Sequence, residues 1–306
     1  MTGAFLTALF FAGNAVCARR AALHYGGTEG NFLRLLLAVA LLGAWAHAAG
    51  QGVGGGAFAW FFVSGCVGFG LGGLTMFHAL PLIGSNLSML IVQCGSAVAA
   101  AAVEWLWLGS RLSAAQAALA ALTLGGVAIG LMGPMGPMIP RRPRSDFVAG
   151  VVLAGISACA QGGSAVISRK AFAVLRSGGF FMDGATSAYQ RALGGLAVAV
   201  LALIVVRLWP ARRRPPVTEA GRVPATAMPP WAWVLLNTLL GPVLGVTCYQ
   251  WALRSNPAGL VLPIVATAPL LTVPIARALE LARPTPRYWL GAVLAVAGAA
   301  GLAVAR

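Results

Sequence analysis

Apolar residues recur along the chain in runs of about 20, the length a helix needs to cross a bilayer, and short polar breaks separate the runs. They predict ten spanning helices: Thr2–Leu23, Phe32–Ala49, Phe58–Leu80, Leu87–Leu108, Ala114–Met132, Val148–Ile167, Ala188–Trp209, Trp231–Leu253, Ala258–Leu279 and Tyr288–Val304. A strand of a membrane barrel alternates apolar and polar positions over about ten residues, whereas runs such as Ala97–Val103 are apolar throughout. The expected fold class is an all-α integral membrane protein, multi-pass, in an inner (plasma) membrane with the lipid bilayer as its main partner.

Composition strengthens that reading. Hydrophobic residues make up 59% of the chain and charged residues 9%, against roughly 25% charged in an average soluble domain. The net charge of +15 comes from 21 basic and six acidic residues. In a soluble chain this would raise nucleic-acid binding. Here Arg141, Arg142, Arg144 and Arg212, Arg213, Arg214 fall between spans, where cytoplasmic loops collect positive charge, so no nucleic-acid partner is expected. The loops after even-numbered spans, with the C-terminus, carry Arg111, Arg169, Lys170, Arg176, Arg254 and Arg306, and the opposite loops carry more basic residues. The charge rule therefore puts the termini outside.

Cys17, Cys66, Cys94, Cys159 and Cys248 all fall within spans and show no Cys-x-x-Cys spacing, which reads as small apolar packing residues and not as disulfides or metal ligands. The first span starts at once with basic residues after it, so no cleaved signal peptide is expected. Walker, dinucleotide-binding and His-Glu-x-x-His motifs are absent from the sequence, and no cofactor or metal is expected. An enzyme is not expected either, because the acids inside spans, Glu104 and Glu280, lie near helix ends and form no pair.

The chain also repeats. An offset of 150 lays Ala4, Gly13, Val16, Arg19 and Arg20 on Ala154, Gly163, Val166, Arg169 and Lys170. An offset of 157 lays Phe32, Arg34 and Leu36 on Tyr189, Arg191 and Leu193, and an offset of 173 lays Ala79-Leu80 and Ile91-Val92 on Ala252-Leu253 and Ile264-Val265. Two five-helix repeats, 1–133 and 147–306, are expected around a connecting loop at 134–146, with a second solvated break at Pro210–Pro230. Five is odd, so the second repeat starts from the opposite face and the halves are inverted.

The motifs "GNAVCARRA", "NFLRLLLAVALLG", "TMFHAL", "LWLGSRLS" and "LGGVAIG" in the first half, with "GSAVISRKA", "YQRALGG" and "YQWAL" in the second, carry a resemblance to the EamA-type transporters of the drug/metabolite transporter superfamily. The resemblance covers nearly the whole chain and implies two five-helix repeats, export of a metabolite or amino acid, and termini inside, against the charge rule. The chain departs from the family's habits near Cys94, where a proline is common, and at Ser110, where a Glu is common.

Polar side chains cost about 2.5–3.5 kcal/mol when charged at the middle of a span, so they tend to face a protein cavity. That filter selects Asn14, Arg34, Gln93, Gln161, Arg191 and Gln250 as substrate-binding candidates. Arg34 and Arg191 match between repeats and offer fork-shaped donors to a carboxylate or phosphate, although each is near enough to a helix end to reach the headgroups. Glu104 and His78 are the candidates for a coupling proton; the competing reading is that Glu104 pairs with Arg111 or caps local packing and that His78 is a satisfied hydrogen-bonder. Pro263, Pro269 and Pro274 free backbone carbonyls in the ninth span and are candidate gating positions. Glycines such as Gly68, Gly70, Gly72 and Gly73 read as sites of close helix contact. The function expected is a secondary transporter of a small polar metabolite, such as an amino acid or organic anion, acting as monomer or homodimer with protons as a candidate coupling ion; the alternative is a passive channel or scaffold.

Overall fold

With no water to satisfy backbone N–H and C=O groups in hydrocarbon, an apolar run must close its own hydrogen bonds, and among the described residues every regular element is helical. The computed structural model describes residues 1–109, 111–131, 144–208, 228–280 and 285–304. The elements are α1 (Thr2–Tyr25), α2 (Gly27–Ala48), α3 (Phe58–Gly65), α4 (Gly73–Leu108), α5 (Ala114–Leu131), α6 (Arg144–Ser177), α7 (Gly184–Leu208), α8 (Pro230–Thr238), α9 (Val246–Ser255), α10 (Ala258–Val265), α11 (Ala268–Glu280) and α12 (Pro286–Val304). Seven continuous stretches are long and apolar enough to cross a membrane: Gly27–Ala48, Phe58–Ser85, Leu87–Leu108, Arg144–Ser177, Gly184–Leu208, Pro230–Ser255 and Ala258–Ile275. The polar Asn14, Arg19 and Arg20 lower the hydropathy of α1, and the apolar part of α5, Ala114–Ile129, is shorter.

Helix ends differ from the expected ones for a local reason. The eight residues between Leu23 and Phe32, expected as a loop, are helical except Gly26, whose φ of 82° and ψ of 168° turn α1 into α2 in one step. Gly84 does the same inside α4, at φ 80° and ψ 167°. Only glycine adopts that region at low cost, so a single residue replaces a loop. Much of the expected connecting loop, with Arg141 and Arg142, and most of the Pro210–Pro230 break, with Arg212, Arg213 and Arg214, lie outside the described residues, as do Ser110, Met132, Trp209 and Arg306. Arg169, Lys170 and Arg176 lie within α6 and not in a loop.

Two π segments interrupt the helices: Cys66–Gly72 joins α3 to α4, and Leu239–Gly245 joins α8 to α9. They stand 173 positions apart, the offset already seen in the sequence. Widening a turn leaves a carbonyl without its usual partner, and both wide turns end on a glycine carbonyl bonded from another helix. Ser157 Oγ on α6 donates to the Gly72 oxygen at 2.8 Å, and Thr7 Oγ1 on α1 donates to the Gly245 oxygen at 3.3 Å.

Packing follows small residues. α6 lies against α3, the first π segment and α4; α1 lies against α8, the second π segment and α9; α2 pairs with α7, and α5 with α12. At Gly65 an added Cβ would sit 1.8 Å from the Arg191 carbonyl oxygen, and at Gly194 2.0 Å from that of Phe62, so α3 and α7 touch backbone to backbone. Leu36, Leu41, Trp45, Trp105, Leu106 and Leu201 point outward, while Asn14, Asn31, Arg34, Gln93, Arg191 and Gln250 are buried. An apolar exterior around a polar interior is the reverse of a water-soluble bundle.

Candidate functional site

The polar interior opens into a cavity lined by Asn14, Arg34, Gln93, Gln161 and Arg191, with Ser96 and an apolar wall that includes Phe69, Met76, Met89 and Tyr249. Its volume is about 60 Å³, more than a single water needs. Five of the six substrate-binding candidates therefore meet in one place, although α1, α2, α4, α6 and α7 supply them. The sixth, Gln250 on α9, stands behind the lining: it is fully buried, its Oε1 accepts a hydrogen bond from Arg191 Nη1 at 3.0 Å, and its Nε2 donates to Ser168 Oγ at 3.4 Å.

The two arginines are buried, not drawn out to headgroups: Arg34 is 7% exposed and Arg191 2%. Arg34 donates from Nε and Nη2 to Asn31 Oδ1 at 2.9 and 2.8 Å, and its guanidinium lies 4.7 Å from the Phe77 ring centre. Arg191 donates from Nη2 to Ser164 Oγ at 3.2 Å besides its bond to Gln250. Phe69, on the first π segment, lies against both, its ring centre 5.9 Å from the guanidinium carbon of Arg34 and 5.2 Å from that of Arg191. Ring faces attract cations, and the rings and neutral amides hold both charges in place.

Glycines of the first π segment and the start of α4 make the space. A Cβ at Gly73 would lie 2.5 Å from Arg34 Nη2 and 2.8 Å from Asn31 Oδ1; one at Gly68 would lie 2.4 Å from Ser164 Oγ and 3.1 Å from Arg191 Nη2. Two of the glycines read as packing positions are thus also the clearance for the arginine forks. On the opposite wall Asn237 Nδ2 donates to Asn14 Oδ1, fixing that side chain from α8.

The remaining candidates lie elsewhere. Glu104 is 2% exposed and stands outside the lining. Its Oε1 is 2.6 Å from Arg169 Nη1, and its two oxygens accept from the backbone amides of Ala258 at 3.2 Å and Gly259 at 2.9 Å. It ties α4 to α6 and to the first turn of α10, where a carboxylate suits the positive helix end. Its partner is Arg169, not Arg111. His78 is exposed, with Nδ1 2.8 Å from the Leu74 carbonyl oxygen and Nε2 3.4 Å from Thr28 Oγ1. Pro263 is buried in α10, Pro269 follows the break at Ala266–Thr267, and Pro274 lies inside α11. Pro269 has no N–H to give the carbonyl of Val265, a lining residue, so the ninth expected span breaks at the cavity wall. Glu280 has no described side chain.

Asn31, Ser164, Phe69 and Tyr249 were not among the sequence candidates. Asn31 was missed because the helix was expected to start at Phe32; its i, i+3 spacing to Arg34 was the available signal. Ser164 and the aromatics look like ordinary packing until the helices are brought together.

The fold has a counterpart among solved structures: one crystal structure superimposes with a TM-score of 0.63 at 21% identity, covering 98% of this chain and 96% of that chain. No curated protein shows significant sequence similarity. The EamA-like transporter family matches residues 1–132 and 148–304. With a multi-pass helical body, a buried polar cavity and a match over nearly its whole length, this chain belongs to the EamA-like transporter family.

Proposed function

We propose that the protein is a secondary transporter, working as an exporter, that carries a small polar metabolite across an inner membrane by alternating access. The observation that carries this reading is the cavity: two arginines and three amide side chains from five helices line one small space. A scaffold has no use for buried cations, and convergent polar groups at one central site suit a carrier that holds its solute more than a passive channel, which needs a continuous path.

Ten crossings result when α4 is divided at Gly84 and each π segment, and the break at Ala266–Thr267, is counted inside one span. Two inverted five-helix repeats, 1–133 and 147–306 joined by 134–146, are supported by contacts that obey the sequence offsets. Ser157 on Gly72 has its counterpart in Thr7 on Gly245. Ser64 donates to the Ser164 carbonyl as Asn237 does to that of Asn14, and Phe77 stands to Arg34 as Gln250 does to Arg191. Rocking of such halves about a central site opens it to each side in turn, with Pro263, Pro269 and Pro274 as the gating positions. Substrate is held by Asn14, Arg34, Gln93, Gln161 and Arg191, with Gln250 orienting Arg191. A proton step through Glu104 or His78 acts at a distance from that cavity.

The test is counterflow in proteoliposomes containing the full chain, loaded in turn with amino acids, organic acids and nucleosides. Saturable uptake of tracer that is stimulated by unlabelled solute inside is the expected result. Flux that is neither saturable nor stimulated from the opposite side would identify a channel, and no flux of any solute would leave the scaffold.

A further inference from the structure

The charges around the cavity do not balance. Two described arginines outside the cavity have a carboxylate: Arg169 has Glu104 and Arg207 has Glu29 at 3.2 Å. Among the described residues Arg34 and Arg191 have only neutral partners, and the cavity wall includes no Asp or Glu. Removing a cation from water costs several kcal/mol that neutral hydrogen bonds offset only in part. Two such cations in one cavity lack two negative charges.

Resting on the transporter reading above, we propose that this cavity takes a small organic dianion of the dicarboxylate type and discriminates against solutes that carry an ammonium group. Both guanidinium carbons lie near Phe69, at 5.9 and 5.2 Å from its centre, so they are no more than 11.1 Å from each other. One short molecule can reach both forks. Among the described residues Arg34 gives two N–H groups to Asn31 and Arg191 gives one each to Gln250 and Ser164, and a guanidinium carries five, so each keeps donors for a carboxylate oxygen.

Size and wall chemistry narrow the ligand further. A cavity of about 60 Å³ suits a small solute with a short carbon chain better than a bulky one. Met76, Met89, Val92, Leu262 and Val265 suit its methylene groups. An α-ammonium would find no carboxylate, and Asn14 Oδ1 already accepts from Asn237. An amino acid would therefore bring one uncompensated positive charge into a site that already holds two.

The experiment uses the full chain, purified and reconstituted, with succinate, propionate, alanine and ribose as probes. Tryptophan fluorescence in detergent reads binding and counterflow in liposomes reads transport. Succinate should bind and be carried at least about tenfold better than propionate or alanine, and Arg34→Gln and Arg191→Gln should each remove that preference. Gln161→Glu, which leaves both arginines in place and adds a carboxylate to the wall, should weaken succinate and improve alanine. Alanine or ribose carried while succinate does not bind would overturn the dianion proposal and leave the transporter reading standing. Propionate handled as well as succinate would overturn the two-charge argument. Succinate bound with no solute carried would uphold the site and remove the transport reading. A wild-type chain that neither binds nor carries succinate overturns the proposal, and that arm holds even if the arginine variants misfold.

Discussion

Replacing Glu104 separates an anchoring carboxylate from a coupling one. The side chain is 3% exposed, its Arg169 partner 16%, and they meet at 2.6 Å, while the same carboxylate accepts from the amides of Ala258 and Gly259. Truncating one member of a buried pair costs about 3–5 kcal/mol because it leaves the other charge without compensation. Arg169 is not fully buried, so Glu104→Ala is expected near the lower end of that range. Glu104→Gln keeps an oxygen for the α10 amides and loses the charge, which places it near 1.5–3 kcal/mol, the value of a charge-assisted hydrogen bond. At about 2–4 °C per kcal/mol, unfolding in detergent should fall by roughly 6–12 °C for Ala and less for Gln. Arg169→Met combined with Glu104→Gln should cost less than the two changes added, because neither charge is then left alone. Melting of Glu104→Ala within a degree or two of wild type would refute the anchor. If Glu104→Gln melts like wild type yet loses proton-driven accumulation while keeping counterflow, the carboxyl is the coupling group.

Other expectations follow from the glycine and amide positions. Gly26 has open space around a prospective Cβ, so Gly26→Ala tests backbone strain alone and should cost about 1–3 kcal/mol, read as a lowered melting temperature; an unchanged value would mean the α1–α2 turn is not held as described. Gly73→Ala should cut counterflow about tenfold or more by displacing Arg34, roughly the effect of losing a charged hydrogen bond, whereas Gly155→Ala, which meets nothing within 4 Å, should leave it intact. Equal effects would sink the clearance argument. In a background without native cysteines, Gln93→Cys and Gln161→Cys should react with water-soluble thiol reagents and be protected by transported solute, while Gln250→Cys, at a fully buried position, should react slowly. Fast labelling at position 250 would move that residue into the lining.

Much of the architecture was legible in the order of residues, because crossing a bilayer is a local demand on a run of side chains. Each apolar stretch had to become a helix, and the runs alone locate nearly every one of them. The matched Arg34 and Arg191 were legible for a related reason: a charge inside such a run is so costly that its presence at both offsets marks an interior position. The helix ends were not legible, since a single glycine at positive φ can replace an eight-residue loop and nothing in the neighbouring residues announces it. Nor were the partners. Glu104 was read beside Arg111 because sequence distance was the only distance to hand, but packing α4 on α6 puts Arg169 at its oxygen. That Gln250 lies behind Arg191, that Phe69 lies against two cations, and that neither cation meets a carboxylate among the described residues are relations between helices far apart in the chain. Only the tertiary structure decides them, because charge balance in a low-dielectric interior depends on which groups are brought within a few ångströms and not on which groups the chain contains.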